Sequence, residues 1–185
     1  MAKIIMDKTI LDLYIKQIAL GDRDSFHKLY EYAKKPIFLF ALSIVKNRQA
    51  AEDILQETML RVAFNSEKYR LGTNPKAWLL SITRNLCNDV LRLPSSHDLP
   101  LAETDFFLES KNDLAKSIEE IDEILSALQI LSHQEREIVS LYIYAGFSQV
   151  EIAKILQISY VRVRSQYKYA LKKLRTHFEK RSESL

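Results

Sequence analysis

The sequence predicts an all-α protein of two small helical domains, an N-terminal helical bundle and a C-terminal helix-turn-helix domain, joined by a flexible acidic linker. Three observations predict it. Only 3 glycines and 4 prolines occur in 185 residues, and apolar positions recur with the helical period while strand-like alternation is nearly absent. Helix start signals, Asp, Asn or Ser before apolar-periodic stretches, recur along the chain. Charge falls in blocks: residues 1–96 carry 15 Lys and Arg against 10 Asp and Glu, residues 97–127 carry 2 against 9, and residues 128–185 carry 10 against 5. Two basic blocks around an acidic joint point to two nucleic-acid-binding units whose connector is itself repelled by nucleic acid.

The first unit spans residues 1–94. A helix over about 7–20 stops at Gly21, and Asp22 or Asp24 caps the next, with apolar positions at Phe26, Leu29, Tyr30 and Ala33. Pro36 is expected to break or kink the path. The apolar run IFLFALSIV then continues to Lys46 and forms the centre of the bundle. A further helix starts near Ala50. Asn74 and Pro75 supply a cap and a first-turn proline for the last helix, which Pro94 ends.

Residues 95–116 read as the linker. Pro100, the paired serines and the scattered acids, following directly on Pro94, predict a flexible connector on which Phe106 and Phe107 dock transiently, so the two units are expected to share little core. The second unit, residues 117–185, opens with a helix to about Leu131. A second helix starts at the capping-box pattern Ser132 to Glu135 and closes at Gly146, and a third starts at the same pattern, Ser148 to Glu151. On that third helix Ile152, Ala153 and Leu156 share a face. Ser159 caps the last helix, on which Val163, Tyr167, Ala170, Leu171 and Leu174 form the predicted buried stripe.

Outside that stripe lie Arg162, Arg164, Ser165, Gln166, Lys168, Tyr169, Lys172 and Lys173, with Ser159 and Tyr160 at the start of the helix. No acid occurs between Glu151 and Glu179. A helix of this character beside a tight corner suits duplex DNA, whose major groove admits a helix and whose phosphates attract its flanks; the alternative is a solvated surface helix. In the first unit, Lys68, Tyr69, Arg70, Lys76, Arg84, Asn85 and Asn88 combine cations, a ring and amides, a mixture suited to single-stranded DNA. Trp78 reads either as core or as a platform for a base. Ahead of both regions in the sequence, Asp53, Gln56, Glu57 and Leu60 fall on one exposed stripe of their helix, with Leu55, Met59, Val62 and Ala63 inward. An acidic, amide-bearing stripe disfavours DNA, and the pattern alone reads equally as a solvated helix face.

Several classes are disfavoured. The single Cys87 excludes a disulfide framework and a multi-thiolate zinc site, and His27, His97, His133 and His177 have no ligand spacing. There is no glycine-rich phosphate loop and no nucleophile-base pattern, so neither a cofactor nor enzymatic activity is expected. Acids interrupt the N-terminal apolar stretch and no apolar run approaches a membrane span. The expectation is a cytoplasmic protein without membrane insertion.

The segment Ala51-Glu52-Asp53-Ile54-Leu55-Gln56-Glu57, then Trp78, Leu79, Ile82, Asn85, Asp89 and Arg92 at their spacing, then the stretch from Glu151 to Ala170, resemble bacterial RNA polymerase sigma factors of the extracytoplasmic-function group. The resemblance covers most of the chain in the family's order. It implies core RNA polymerase as a partner, docked on the face of Asp53, Gln56, Glu57 and Leu60. It implies that the loop and helix carrying Lys68 to Asn88 melt and read the minus-ten element, with the loop capturing an extruded base, and that the last helix reads the minus-thirty-five element. Promoter DNA, duplex and single-stranded, is thus the second partner. An anti-sigma protein between the domains is common in the family, though no residue identifies one here. Gln157 stands where the family usually has glycine, and Arg162 and Gln166 replace residues that are commonly Thr and Arg, so the DNA sequence read does not carry over. The other reading is an autonomous helix-turn-helix repressor or activator, which has no use for an acidic docking face and a single-strand surface.

Overall fold

The computed structural model describes residues 6–92 and 126–182, and every regular element among them is helical. Helix α1 (Lys8–Ala19) begins where the Asp7 carboxylate accepts from the Thr9 and Ile10 amides at 2.8 and 3.1 Å, and buries Leu11 and Ile15. Gly21, at φ 88°, turns the chain, a conformation costly for any residue with a Cβ. Asp22 then caps α2 (Arg23–Val45). The buried Ser25 hydroxyl ties that cap to α1, lying within hydrogen-bond distance of both Asp22 and Gln17.

Of the break or kink expected at Pro36, the break does not occur: α2 runs through it. An interior proline costs about 3 kcal/mol in a helix. Here the compensation is burial of every residue from Pro36 to Ile44, since each large apolar side chain contributes about 1.5–3 kcal/mol. A helix apolar on all sides needs neighbours on all sides. Helix α2 packs against α1, α3 (Arg48–Asn65) and α4 (Pro75–Arg92) within the first unit, and its remaining face meets the second. Asn47 caps α3, starting it two residues earlier than Ala50, and Asn74 caps α4 ahead of Pro75. Leu55, Met59 and Val62 turn inward as their spacing predicts. Cys87 is fully buried among the core residues.

In the second unit residues 126–129 are helical, followed by α5 (His133–Ile143), α6 (Gln149–Leu156) and α7 (Tyr160–Ser182). Both capping boxes form, Ser132 with Glu135 and Ser148 with Glu151. Gly146 stands at φ 72° in the turn after α5. Val163 and Ala170 of α7 are buried and Tyr167 and Leu174 half-buried, but Leu171 is 41% exposed and does not belong to the predicted stripe. With neighbours above and below at Tyr167 and Leu174, a position one residue past Ala170 rotates out of the narrow contact with α5.

The expectation of little shared core is not met among the described residues. Helix α5 packs on α2, and one continuous core joins Phe40 and Leu80 to Ile138, Leu141 and Phe147. The physical reason is the all-round apolar half of α2, whose outer face would otherwise meet water. The predicted linker, Phe106, Phe107, Pro94 and the start of the second unit near Ser117 lie outside the described residues.

Candidate nucleic-acid interface

Between α3 and α4 the chain makes a 3₁₀ turn over Ser66–Lys68 and a loop through Gly72, at φ 82°. Two long-range bonds fix this loop to α1: Lys8 Nζ donates to the Gly72 carbonyl at 3.0 Å, and the Tyr69 hydroxyl donates to Asp12 Oδ1 at 2.6 Å. Tyr69 is only 9% exposed, and its ring lies tilted on Trp78 with centroids 5.0 Å apart. Burial, and then the bond to Asp12, push its phenol up to about 12. This departs from the sequence expectation, because a ring held in the core offers no free face to a base. Trp78 is half-buried against the same core.

The cations beside it are placed differently. Lys68 and Arg70 are exposed on the loop, with Lys68 Nζ donating to Asn65 Oδ1 at 3.2 Å. On α4, Asn85 is exposed and Asn88 half-buried. Lys76 and Arg84 lie on the edge of α4 that meets the second unit. Lys76 Nζ sits 5.1 Å from the centre of the Phe147 ring, and Arg84 Nε donates to Glu137 Oε1 at 2.6 Å. Neither Phe147 nor Glu137 stood out in the sequence. The signal that could have found them was the apolar run of α2, too long to be covered by the first unit alone.

On α3, Asp53 is exposed and Gln56, Glu57 and Leu60 are half-buried. Glu57 pairs with Arg61 at 2.7 Å, while Asp53 accepts from Gln49 at 3.2 Å. These one-turn pairs along the helix surface are worth a few tenths of a kcal/mol, weak enough to be exchanged for a partner's arginines.

The corner between α6 and α7 is closed by Gln157 at φ 55° and ψ 40°, with the Ile158 amide donating to the Ala153 carbonyl at 3.1 Å. Gln157 is thus left-handed, a conformation that costs a residue with a Cβ about 1 kcal/mol. Ser159 Oγ caps α7 by accepting from the Arg162 amide at 3.2 Å. Ser159, Tyr160, Arg162, Arg164, Ser165, Lys168, Tyr169 and Lys172 are exposed and Gln166 half-buried. Arg162 is steadied by a 3.0 Å bond from Nη2 to Gln134 Oε1. Lys173 is engaged by the buried carboxylate of Glu135, at 2.9 and 2.8 Å. The arrangement is a capped, rigidly cornered helix with a cationic outer face. Among the described residues no group of His, Cys, Asp and Glu could hold a metal ion, and no helix is long and apolar enough to cross a membrane.

Residues 29–93 match the family described as Sigma-70 region 2, and residues 127–176 match Sigma-70, region 4. The ECF RNA polymerase sigma factor SigX of Bacillus subtilis (strain 168) is 29% identical over 170 residues, covering 88% of each chain. The ECF RNA polymerase sigma factor EcfG of Rhodopseudomonas palustris (strain TIE-1) is 30% identical over 136 residues, 73% of this chain and 75% of that one. Among solved structures, CnrH in complex with the cytosolic domain of CnrY is similar in fold, with a TM-score of 0.68 at 21% identity over 92% of this chain and 97% of that chain. The sigma factor RpoE in complex with the anti-sigma factor NepR from Bartonella quintana has a TM-score of 0.57 at 23% identity, over 77% and 89%.

Proposed function

The chain belongs to the extracytoplasmic-function group of RNA polymerase sigma factors, and on that premise we propose which of its surfaces does each part of the work. As a sigma factor it is a transcription initiation factor, not an enzyme: it joins core RNA polymerase and directs it to promoters, with binding energy as the only drive for melting. That membership disposes of the autonomous repressor reading. We place its work in the cytoplasm, where polymerase and promoters are.

The face of Asp53, Gln56, Glu57 and Leu60 docks on core polymerase, its carboxylates meeting arginines and Leu60 the apolar centre of the contact. Lys68, Arg70, Lys76 and Arg84 track the backbone of the opened minus-ten strand, and Asn85 and Asn88 read its bases. Tyr69 acts one step back, holding the loop in shape through Asp12. Helix α7 enters the major groove at the minus-thirty-five element: Arg162 and Gln166 reach base edges, while Ser159, Tyr160, Arg164, Ser165, Lys168, Tyr169 and Lys172 contact or flank the phosphates. Residues 1–94 and 117–185 are the two working domains, with 95–116 between them. An anti-sigma factor accompanies one structural neighbour, RpoE of Bartonella quintana, and a protein of that class is the natural inhibitor for this chain.

The observation that carries this division is chemical. An acidic stripe on α3 and a cationic face on α7 are both presented to solvent, and a single partner cannot suit both. The test is reconstitution of the full chain with core polymerase and transcription from a fragment library. Promoter-specific transcripts that require the chain support the reading, and their absence from a stable polymerase complex removes it.

A further inference from the structure

The N-terminal end of α7 presents one aliphatic side chain among its polar and cationic ones. Val161, the second residue of the helix, is 74% exposed, and it has no polar atom to give to a phosphate. We propose that Val161 is a base-reading residue, which selects thymine in the minus-thirty-five element by covering the C5-methyl group in the major groove. The inference rests on the reading of α7 as the helix that enters that groove, and adds a base type that it selects.

Geometry puts Val161 at the front of the helix. Successive residues turn about 100°, so Val161 stands half a turn from Val163, and Ser165, Lys168 and Lys172 continue its ridge at spacings of four, three and four. Every residue of that ridge is exposed, opposite the buried Val163 and Ala170. Helix α5 borders one flank, where Arg162 donates to Gln134 and Lys173 to Glu135. The ridge points away from that helix. Its C-terminal lysines suit phosphate, while its N-terminal end lies where a groove-inserted helix reaches base edges. Leu171, the other exposed aliphatic side chain of α7 among the described residues, lies one residue past buried Ala170 and off the ridge.

An exposed valine is common on a protein surface, but the start of this helix gains little from one unless it meets an apolar group. Valine is a weaker helix former than the arginine, glutamine and lysine that follow it. The first turn of α7 also holds no acid, although a carboxylate there would stabilise the helix N-terminus. Both departures fit a surface that approaches DNA, since an acid would repel phosphate and a valine needs an apolar partner. Of the base edges in the major groove, thymine alone carries a methyl group; the others present only hydrogen-bond donors and acceptors. Against those, valine would strip water and return no hydrogen bond. Selection is thus made by exclusion as much as by attraction. Arg164, exposed one turn further on, takes the adjoining phosphate.

The experiment uses the full chain assembled with core polymerase, and a duplex fragment bearing the minus-thirty-five element of a promoter recovered from the fragment library. Each thymine of the element, on either strand, is replaced in turn by deoxyuridine, which pairs with adenine in the same way and lacks only the methyl group. Expected is one replacement that weakens wild-type binding about fourfold, the scale of burying one methyl group. Val161→Ala should bind the unmodified duplex about fourfold more weakly than wild type, and that same replacement should then cost it nothing further. The variant keeps its fold, because the site is exposed and alanine is the better helix former, and the deoxyuridine series in wild type needs no variant at all. No sensitive thymine, or equal sensitivity in Val161→Ala, overturns the inference, as does an element without thymine on either strand. The reading beneath it fails separately: if Arg164→Ala binds every duplex as wild type does, α7 is not at the DNA.

Discussion

Lys173 Nζ on α7 bridges both carboxylate oxygens of Glu135 on α5, at 2.9 and 2.8 Å, while the neighbouring Lys172 is exposed. Two adjacent lysines of one basic helix are thereby given different work. The first fastens α7 to α5, and the second faces outward. Lys172→Ala should weaken binding to all duplexes alike and lower the salt slope by about one unit. Lys173→Ala should instead destabilise the protein by about 1–2 kcal/mol, because it strips a buried carboxylate of a charged hydrogen bond. Urea unfolding and salt-dependent binding of the two variants separate these effects. Equal salt slopes with equal stability would erase the distinction.

The same pair sets an acid limit. Burial works to raise the Glu135 carboxyl, but bonds from Lys173 and Ser132 prevail and hold it below its ordinary 4.5. A carboxyl lowered by folding stabilises fully above its unfolded value, and that contribution drains away as pH falls through the lower folded value. Unfolding midpoints followed downward from pH 6 should therefore decline below about pH 4.5, and decline less steeply in Lys173→Ala. An identical acid slope in both proteins would show that the pair does not carry it.

Tyr69 makes a third case. Tyr69→Phe keeps the ring on Trp78 and deletes the hydroxyl's bonds to Asp12 and Thr73, leaving a half-buried carboxylate that water still reaches. The expected cost is about 1 kcal/mol, with promoter melting in holoenzyme nearly unchanged. Ultraviolet titration reads the same site. Tyr69 and Tyr144 both ionise at about 12, so Tyr69→Phe removes one late-ionising phenol. Loss of melting without loss of stability would return the ring to the DNA.

Much of the fold is legible because it is written locally. Asp7, Asp22, Asn47, Asn74, Ser132, Ser148 and Ser159 announce helix starts through side chains that bond their own first turn, and Gln157 takes its left-handed corner as its position requires. The misses are all long-range. The local cost of Pro36 argues for a break, whereas burial on every side of α2 decides its fate. The sequence neighbours of Tyr69 argue for a nucleic-acid contact, but Asp12, on another helix, fixes it. The engagement of Arg84 by Glu137 spans the two domains and has no local signature, although the uninterrupted apolar run of α2 carries the information that something must cover it.

The acidic face of α3 offers a direct test of docking. Asp53→Lys with Glu57→Lys should abolish binding to core polymerase and leave helical content unchanged, because Asp53 is exposed and Glu57 half-exposed, paired only along the helix surface. Some local loss is expected where the second of these substitutions sets a like charge against Arg61, on the scale of a few tenths of a kcal/mol. Unaltered affinity in a direct binding assay would take the docking role from this face.

The division of labour between the two DNA surfaces is tested most directly on one holoenzyme, by recording duplex protection over the minus-thirty-five element and permanganate reactivity of unpaired thymines at minus ten in the same complex. Arg162→Ala with Gln166→Ala should lose the sequence-specific upstream protection, at a cost of about 1–3 kcal/mol for each base contact. Asn85→Ala with Asn88→Ala should keep that protection and lose thymine reactivity. If each pair of substitutions diminishes both signals to the same degree, α4 and α7 do not read separate elements, and the assignment of surfaces is wrong.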